Sequence, residues 1–276
     1  MRIEGQTVWA DTLKNKSHRW TSDLDRFRAD FFSLDHKAKF TLAPESRFFC
    51  IGSCFARNIE EHLIYRGAEV LSKHIVCPKE ESPIRPNGFL NKFTTPSMAN
   101  ELEWVVAPAK APDVLIETEK GWIDTQLAPG IPPVSLERAR ERRRFITDNY
   151  FPRIKDADVV VITLGLIEAW FDTTADIYWN STPSLWAVRR NPGRFFFEST
   201  DYETNQRYLN RVHDLLQKIN PTARLVVTVS PVPLTATFTG RDIAAANTYP
   251  SRCCGPSLKV SPTGTRMSIT SLALNW

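Results

Sequence analysis

The sequence predicts an α/β protein organised on a doubly wound, mostly parallel sheet, and three observations carry that expectation. The run Asp158 to Leu164 is continuously β-branched, the pattern of a strand covered by helices on both faces, and Arg224 to Val229 reads as a further strand. Helical patterns separate the strand candidates, so successive strands are expected to run parallel. The stretch Arg47 to Val70 reads as strand, tight turn and helix in one pass.

That stretch also carries the chemistry. Phe48 to Ile51 is a short apolar strand, Gly52 breaks it, and Ser53 and Cys54 lead into a helix. Phe55, Ile59, Leu63 and Ile64 share one helical face, with Arg57, Glu60, Glu61 and Arg66 expected on the other. A glycine permits the sharp bend, and the residue after it meets unpaired amides at the positive end of a helix. Such a place favours an alkoxide or thiolate and holds an oxyanion. The plainer alternative is that Ser53 is only an N-cap and Cys54 only a small buried hydrophobe.

Along the rest of the chain, residues 1–46 read as an irregular, aromatic-rich N-terminal extension ending near Pro44. Glu69 to Ile75 suggests a second strand, followed by a proline-rich connection. Asn91 lies in a loop ahead of a helix that begins near Pro96, and is a candidate amide donor or a turn residue satisfying its own backbone. Short strands or an insertion are expected around Trp122, then a helix from Leu136 to Phe151. The strand ending at Leu164 is followed by Gly165 and Glu168, which puts amides and a carboxylate at the carboxyl end of the sheet, where open α/β folds bind ligands. The aromatics between Phe171 and Phe197 are expected to be core, the alternative being an exposed face for a sugar. A helix from Asp201 to Ile219 precedes the last strand, and its His213 is too far from any strand end to serve as a base.

Composition narrows the partners. A chain of 276 residues, 42% hydrophobic and 24% charged, is long enough for one large α/β domain. A net charge of +4 is too small to indicate nucleic acid or an anionic membrane, and the cluster Arg138, Arg140, Arg142, Arg143 and Arg144 is expected to be a solvated helix face. No apolar run approaches the ~20 residues of a membrane helix and the N-terminus lacks a signal-peptide core, so a cytoplasmic protein is expected. The five cysteines have no second ligand pair at zinc-binding spacing, so neither metal nor other cofactor is expected. Nothing here specifies an oligomeric state.

GSCFA, Gly52 to Ala56, is the signature after which the GSCFA family is named, and the chain resembles that family closely. The resemblance continues in NKFTTPSM (Asn91 to Met98), ADVVVITLGLIEAWFD (Ala157 to Asp172) and VVTVSPVPLTATF (Val226 to Phe238), and spans 47–249 as one domain. The family looks like part of the SGNH/GDSL hydrolase superfamily, mostly esterases and acyl hydrolases or transferases on a flavodoxin-like, three-layer fold. That resemblance implies Ser53 as nucleophile, amides around Gly52 and Cys54 as oxyanion donors, and a carbohydrate or other acyl ester as substrate. Alignment on the glycine of the superfamily's Gly-Asp-Ser would instead put Cys54 in the nucleophile slot. Where the superfamily has an oxyanion-binding asparagine after the strand glycine, this chain has Glu168. A carboxylate donates no hydrogen bond unless protonated, so Glu168 is expected to orient a partner, contact substrate or cap a helix. The rival function is an anion- or carbohydrate-binding module without covalent chemistry.

The segment 250–276 departs from this pattern. It has no helical or strand period, and it pairs Cys253 with Cys254 among Gly, Pro, Ser and Thr. Back-translated and read one base out of phase from the third base of the Pro250 codon, the permitted codons include KSVLRAVAEGLADRHADVDYFPS, an allowed rather than forced string. A one-base deletion near codon 250 is therefore expected to have replaced the native C-terminus. The superfamily's base is a histidine in a late Asp-x-x-His motif, and no histidine follows Tyr249. The chain is accordingly expected to hold the nucleophile half of a site and to be inactive for want of a base.

Overall fold

The computed structural model describes residues 2–15, 40–75, 77–82 and 85–254, with side chains to Thr248. The chain divides into two units, 1–41 and 42–276. The first contains helix α1 (Gly5–Lys14), where the sequence suggested only irregular structure. The aromatic residues of 16–39 and the tail from 255 onward lie outside the described residues, together with the expectations for them.

The second unit is built as predicted, on a parallel sheet between helices. Strand β1 (Arg47–Ile51) leads through helix α2 (Cys54–Tyr65) to β2 (Glu69–Val70), which pairs for two residues and then passes into a 3-10 turn. Helix α3 (Thr95–Val106) follows, then the antiparallel hairpin β3 (Leu115–Thr118) and β4 (Gly121–Asp124), and helix α4 (Leu136–Phe145). Strand β5 (Val159–Leu164) is buried at all six positions. Next come β6 (Glu168–Asp172), β7 (Ile177–Trp179), helix α5 (Leu185–Arg190) and β8 (Phe195–Ser199). Helix α6 (Tyr202–Ile219), strand β9 (Arg224–Val229) and helix α7 (Ile243–Cys254) complete the described chain. Helix α7 continues past Tyr249 into the segment where the sequence pattern changes.

The main sheet has the order β2-β1-β5-β9 and is parallel throughout, with Ile51 beside Ile162 and Leu164 beside Val229. Alternation sends its side chains into two cores. Phe49, Ile51, Val160, Ile162 and Val227 join Leu102, Ile146, Leu209 and Val212 on one face. Phe48, Cys50, Val159 and Val161 join Ala56, Ile59 and Leu63 of α2 on the other. Helices on both faces of a parallel sheet make a three-layer α/β fold. A separate antiparallel sheet, β7-β6-β8, holds the aromatics of 170–197 other than Trp186, which lies in α5. Of these, Tyr178 and Trp179 are core as expected, whereas Phe196 is exposed.

Two expectations about charge are corrected. Arg57 and Glu60, expected opposite the apolar face of α2, are its buried residues together with Ala56, while Ile64 of the apolar set is exposed. Arg57 Nη1 lies 2.9 Å from Glu60 Oε1 and Nη2 donates to the Cys50 carbonyl at 2.8 Å. The Cys50 N–H donates to Ser72 Oγ at 3.0 Å, and Ser72 in turn donates to Glu60. Strand β2 stops opposite Phe48, so these side chains satisfy the β1 backbone that β2 no longer reaches. Likewise the basic cluster is not one solvated face. Arg142 and Arg143 of α4 turn inward to Glu81, Glu101 and Asp124, and Arg138 pairs with Glu81, leaving Arg140 and Arg144 exposed.

Among the described residues no helix is long and apolar enough to cross a membrane.

Candidate functional site

The carboxyl ends of β1, β5 and β9 form a line of small residues: Gly52, Gly165 and Ser230 each follow the last residue of a strand. From β1 the chain crosses to β2 on one side, while β5 lies on the other, so the strand order reverses between β1 and β5. In open α/β sheets the crevice above such a reversal is where ligands bind. The turn Gly52-Ser53 sits at that place.

The turn requires glycine on two counts. Gly52 has φ +152°, and a Cβ there would lie 2.0 Å from Thr163 Oγ1 and 2.9 Å from the Thr163 carbonyl on the adjacent strand. The close approach lets α2 start directly above the sheet. Ser53 is its N-cap, half-buried, with Oγ accepting from the Phe55 N–H at 3.3 Å. The capping role of Ser53 is met, and the capping hydroxyl is also the first side chain at the sheet's carboxyl rim. Cys54 is the first residue of α2, free and half-buried. Cys50, one strand position below the turn, has its thiol pushed up to about 12, chiefly by burial and then by Glu60, and is inert at neutral pH.

The Asn91 loop is fixed to the same turn. The Lys92 N–H donates to the Gly52 carbonyl at 2.8 Å. Below it the Lys92 side chain, 1% exposed, pairs with Glu101 at 2.5 Å and donates to the Gln126 carbonyl. Arg143 and Lys92 hold the Glu101 carboxyl below the usual range against the opposing effect of burial. Asn180 clamps the loop from the other side: its Nδ2 donates to the Asn91 carbonyl at 2.8 Å and the Leu127 carbonyl at 3.1 Å, and its Oδ1 accepts from the Phe93 N–H and Ser97 Oγ. The Asn91 side chain itself makes no hydrogen bond among the described residues, and its Oδ1 is buried without a partner. Because the two ends of an amide are exchanged by a half-turn about its last bond, Asn91 can present either a donor or an acceptor.

Gly165 is held against β9, where its Cβ would meet Ser230 Cβ at 3.0 Å. Glu168, the first residue of β6, accepts from Thr237 Oγ1 at 2.5 Å and from the Phe238 N–H at 2.8 Å. It thereby pins the loop that follows β9, with Phe238 5.4 Å from the Trp170 ring and 6.1 Å from Phe197. Asn247 of α7 supports that loop by accepting from the Leu234 N–H at 2.9 Å. Glu168 makes no hydrogen bond to Ser53, and neither do the described histidines His62, His74 and His213, of which His62 bonds Arg66 and His213 bonds Asp214.

Sequence reading thus singled out Gly52, Ser53, Asn91 and Gly165, which share this rim, but missed the residues that position them. Thr163, Lys92 and Asn180 had no signal as isolated letters, although Lys92 lies within the NKFTTPS block. No group of three or more His, Cys, Asp or Glu residues among the described residues is arranged to hold a metal ion.

Comparison with known proteins gives one result. No curated protein and no solved structure matches the chain. The GSCFA family model matches residues 47–251, from the first residue of β1 into α7 and across every element described above for the site, and the chain belongs to the GSCFA family.

Proposed function

We propose that the rim built on Gly52 and Ser53 is an acyl-ester site of SGNH-hydrolase type, with Ser53 as nucleophile. One observation supports this most: a glycine turn at the reversal point of a parallel sheet sets Ser53 at the start of α2, beside a loop whose Asn91 amide has no partner. In the proposed reaction Ser53 Oγ attacks the ester carbonyl, its proton passes to a base, and the carbonyl oxygen gains the electron pair. Asn91 Nδ2 and the backbone amides at the start of α2 and after β5 are the donors proposed for that oxyanion, such donors being worth about 2.7–4 kcal/mol each. Collapse breaks the bond to the alcohol, which takes the proton, and water or a second hydroxyl then removes the acyl group. Phe238, on the loop pinned by Glu168, packs against Trp170 of β6 and Phe197 of β8, an aromatic cluster compatible with a sugar ring. The domain limits we propose are 47–249 for this unit, preceded by an extension and followed by a segment read out of frame.

Ser53 has no histidine partner among the described residues, so we propose that hydrolysis by this chain depends on an external base. The test is release of nitrophenol from an aryl acetate by the purified chain, with and without imidazole. Imidazole-dependent turnover that Ser53→Ala removes and Cys54→Ala retains supports the reading. Turnover equal in Ser53→Ala and wild type refutes it. The second reading, a non-covalent oxyanion or sugar site, is favoured by the same unpaired Asn91 and predicts saturable binding without turnover.

A further inference from the structure

Away from the rim, a cavity of about 90 Å³ lies between β4, the turn 127–131 and α4, lined by Leu127, Gly130, Ile131, Ser181, Thr182 and Arg142 among others. That is several times the space one water needs. Arg142 is 4% exposed, and its Nη1 donates to Glu81 at 3.2 Å. Its Nε and Nη2 are buried and have no hydrogen-bond partner among the described residues. In a guanidinium these two N–H groups lie parallel on one edge, the edge that grips both oxygens of a carboxylate or phosphate. Leaving them bare inside a protein is costly, since each charged donor has lost its water.

The nearest carboxylates do not fill the gap. Asp124, which also lines the cavity, accepts from the Gln126 N–H at 2.8 Å through Oδ1 and pairs with Arg143 at 3.3 Å through Oδ2. Glu81 is shared with Arg138, whose Nε donates to it at 2.7 Å. A second cavity is lined by Arg142 together with Ile75, Cys77, Phe89, Phe145, Arg138 and Glu141. There Glu141 shares the cavity with both Arg138 and Arg142, whereas the first cavity adds the hydroxyls of Ser181 and Thr182, which can donate to an oxyanion beside Arg142.

We propose that this cavity is a binding site for a small oxyanion, the size of acetate or phosphate, gripped by the Nε/Nη2 edge of Arg142. It is separate from Ser53 and stands or falls independently of that residue's role. The experiment is thermal melting of the full chain in sodium acetate, sodium phosphate or sodium chloride at matched ionic strength. At tenfold excess over Kd the bound oxyanion raises Tm by about 3–5 °C relative to chloride. A response to acetate alone assigns a carboxylate ligand, and a response to phosphate alone a phosphate. Arg142→Met abolishes the response. Should that variant not fold, Thr182→Glu is read in its place, since a tethered carboxylate competes for Arg142 and removes the anion dependence. No response in the wild type, or an undiminished one in the variant read, overturns the site and leaves water as the occupant of the cavity.

Discussion

Replacing Gly52 by alanine tests the turn on which the site depends. The added methyl would lie 2.0 Å from Thr163 Oγ1, 2.9 Å from the Thr163 carbonyl and 3.0 Å from Thr163 Cβ, all far inside van der Waals contact. Relief requires moving strand β5 or reorienting the turn. Overpacking of this kind costs about 1–3 kcal/mol, and holding a non-glycine residue at φ +152° adds about 1–3 kcal/mol. The sum, about 2–6 kcal/mol, is a large fraction of the 5–15 kcal/mol typical of a domain. Urea unfolding followed by tryptophan fluorescence measures the loss. The companion variant Gly52→Ala/Thr163→Ala removes the shortest contact but neither the carbonyl contact nor the unfavourable φ, so it recovers only part of the loss. Thr163 Oγ1 is itself buried without a partner among the described residues, so little hydrogen bonding is sacrificed by removing it. A Gly52→Ala protein within 0.5 kcal/mol of wild type would refute the account of the turn. So would a double variant no more stable than Gly52→Ala.

Other consequences are as direct. Alkylation of the native protein with iodoacetamide, read by peptide mapping, should modify half-buried Cys54 and spare Cys50, whose thiol is buried and raised to about 12; equal modification would contradict the placement of β1. Asn180→Leu leaves the Asn91 and Leu127 carbonyls and the Phe93 N–H without the side chain they bond, and should cost about 2–4 kcal/mol in urea unfolding. It should also loosen the Asn91 loop by hydrogen exchange, and unchanged protection there would count against the clamp. Burial alone would raise the Asp172 carboxyl, but hydrogen bonds from Arg194 and from the Thr174 and Ala175 amides outweigh it and hold the group below its ordinary value. Its folded pKa is thus below its unfolded one, so its stabilisation is present above about pH 4 and is lost as pH falls through the lower folded value. Asp172→Asn should flatten acid unfolding in that window, and an unchanged acid limb would show that Asp172 contributes nothing to it.

What could be read in advance follows the physics of burial. β5 was legible because a strand covered on both faces is apolar almost throughout, and β9, RLVVTV between a helix end and a proline-rich loop, was placed with the observed bounds. The turn after β1 was legible because a glycine between an apolar run and a helical period has few other uses. Arg57, Glu60, Arg142 and Arg143 were misplaced for a common reason. A hydrophobic period assigns charges to solvent, and it cannot register charges that enter the core together as pairs. The β7-β6-β8 sheet was missed because β6, EAWFD, is buried only at its second and fifth positions and shows no alternation. Asn180 acts through four hydrogen bonds to segments 50–90 residues distant in sequence, which no local pattern encodes.

The claim at the centre is that Ser53, rather than its neighbour, is the reactive side chain presented above the sheet. Exposure to excess fluorophosphonate with imidazole present, followed by digestion and mass spectrometry, interrogates it directly. The account predicts a single phosphonyl adduct on the peptide containing Ser53, absent from Ser53→Ala and retained by Cys54→Ala. An unlabelled Ser53 in folded protein, or an adduct that persists in Ser53→Ala, would contradict it.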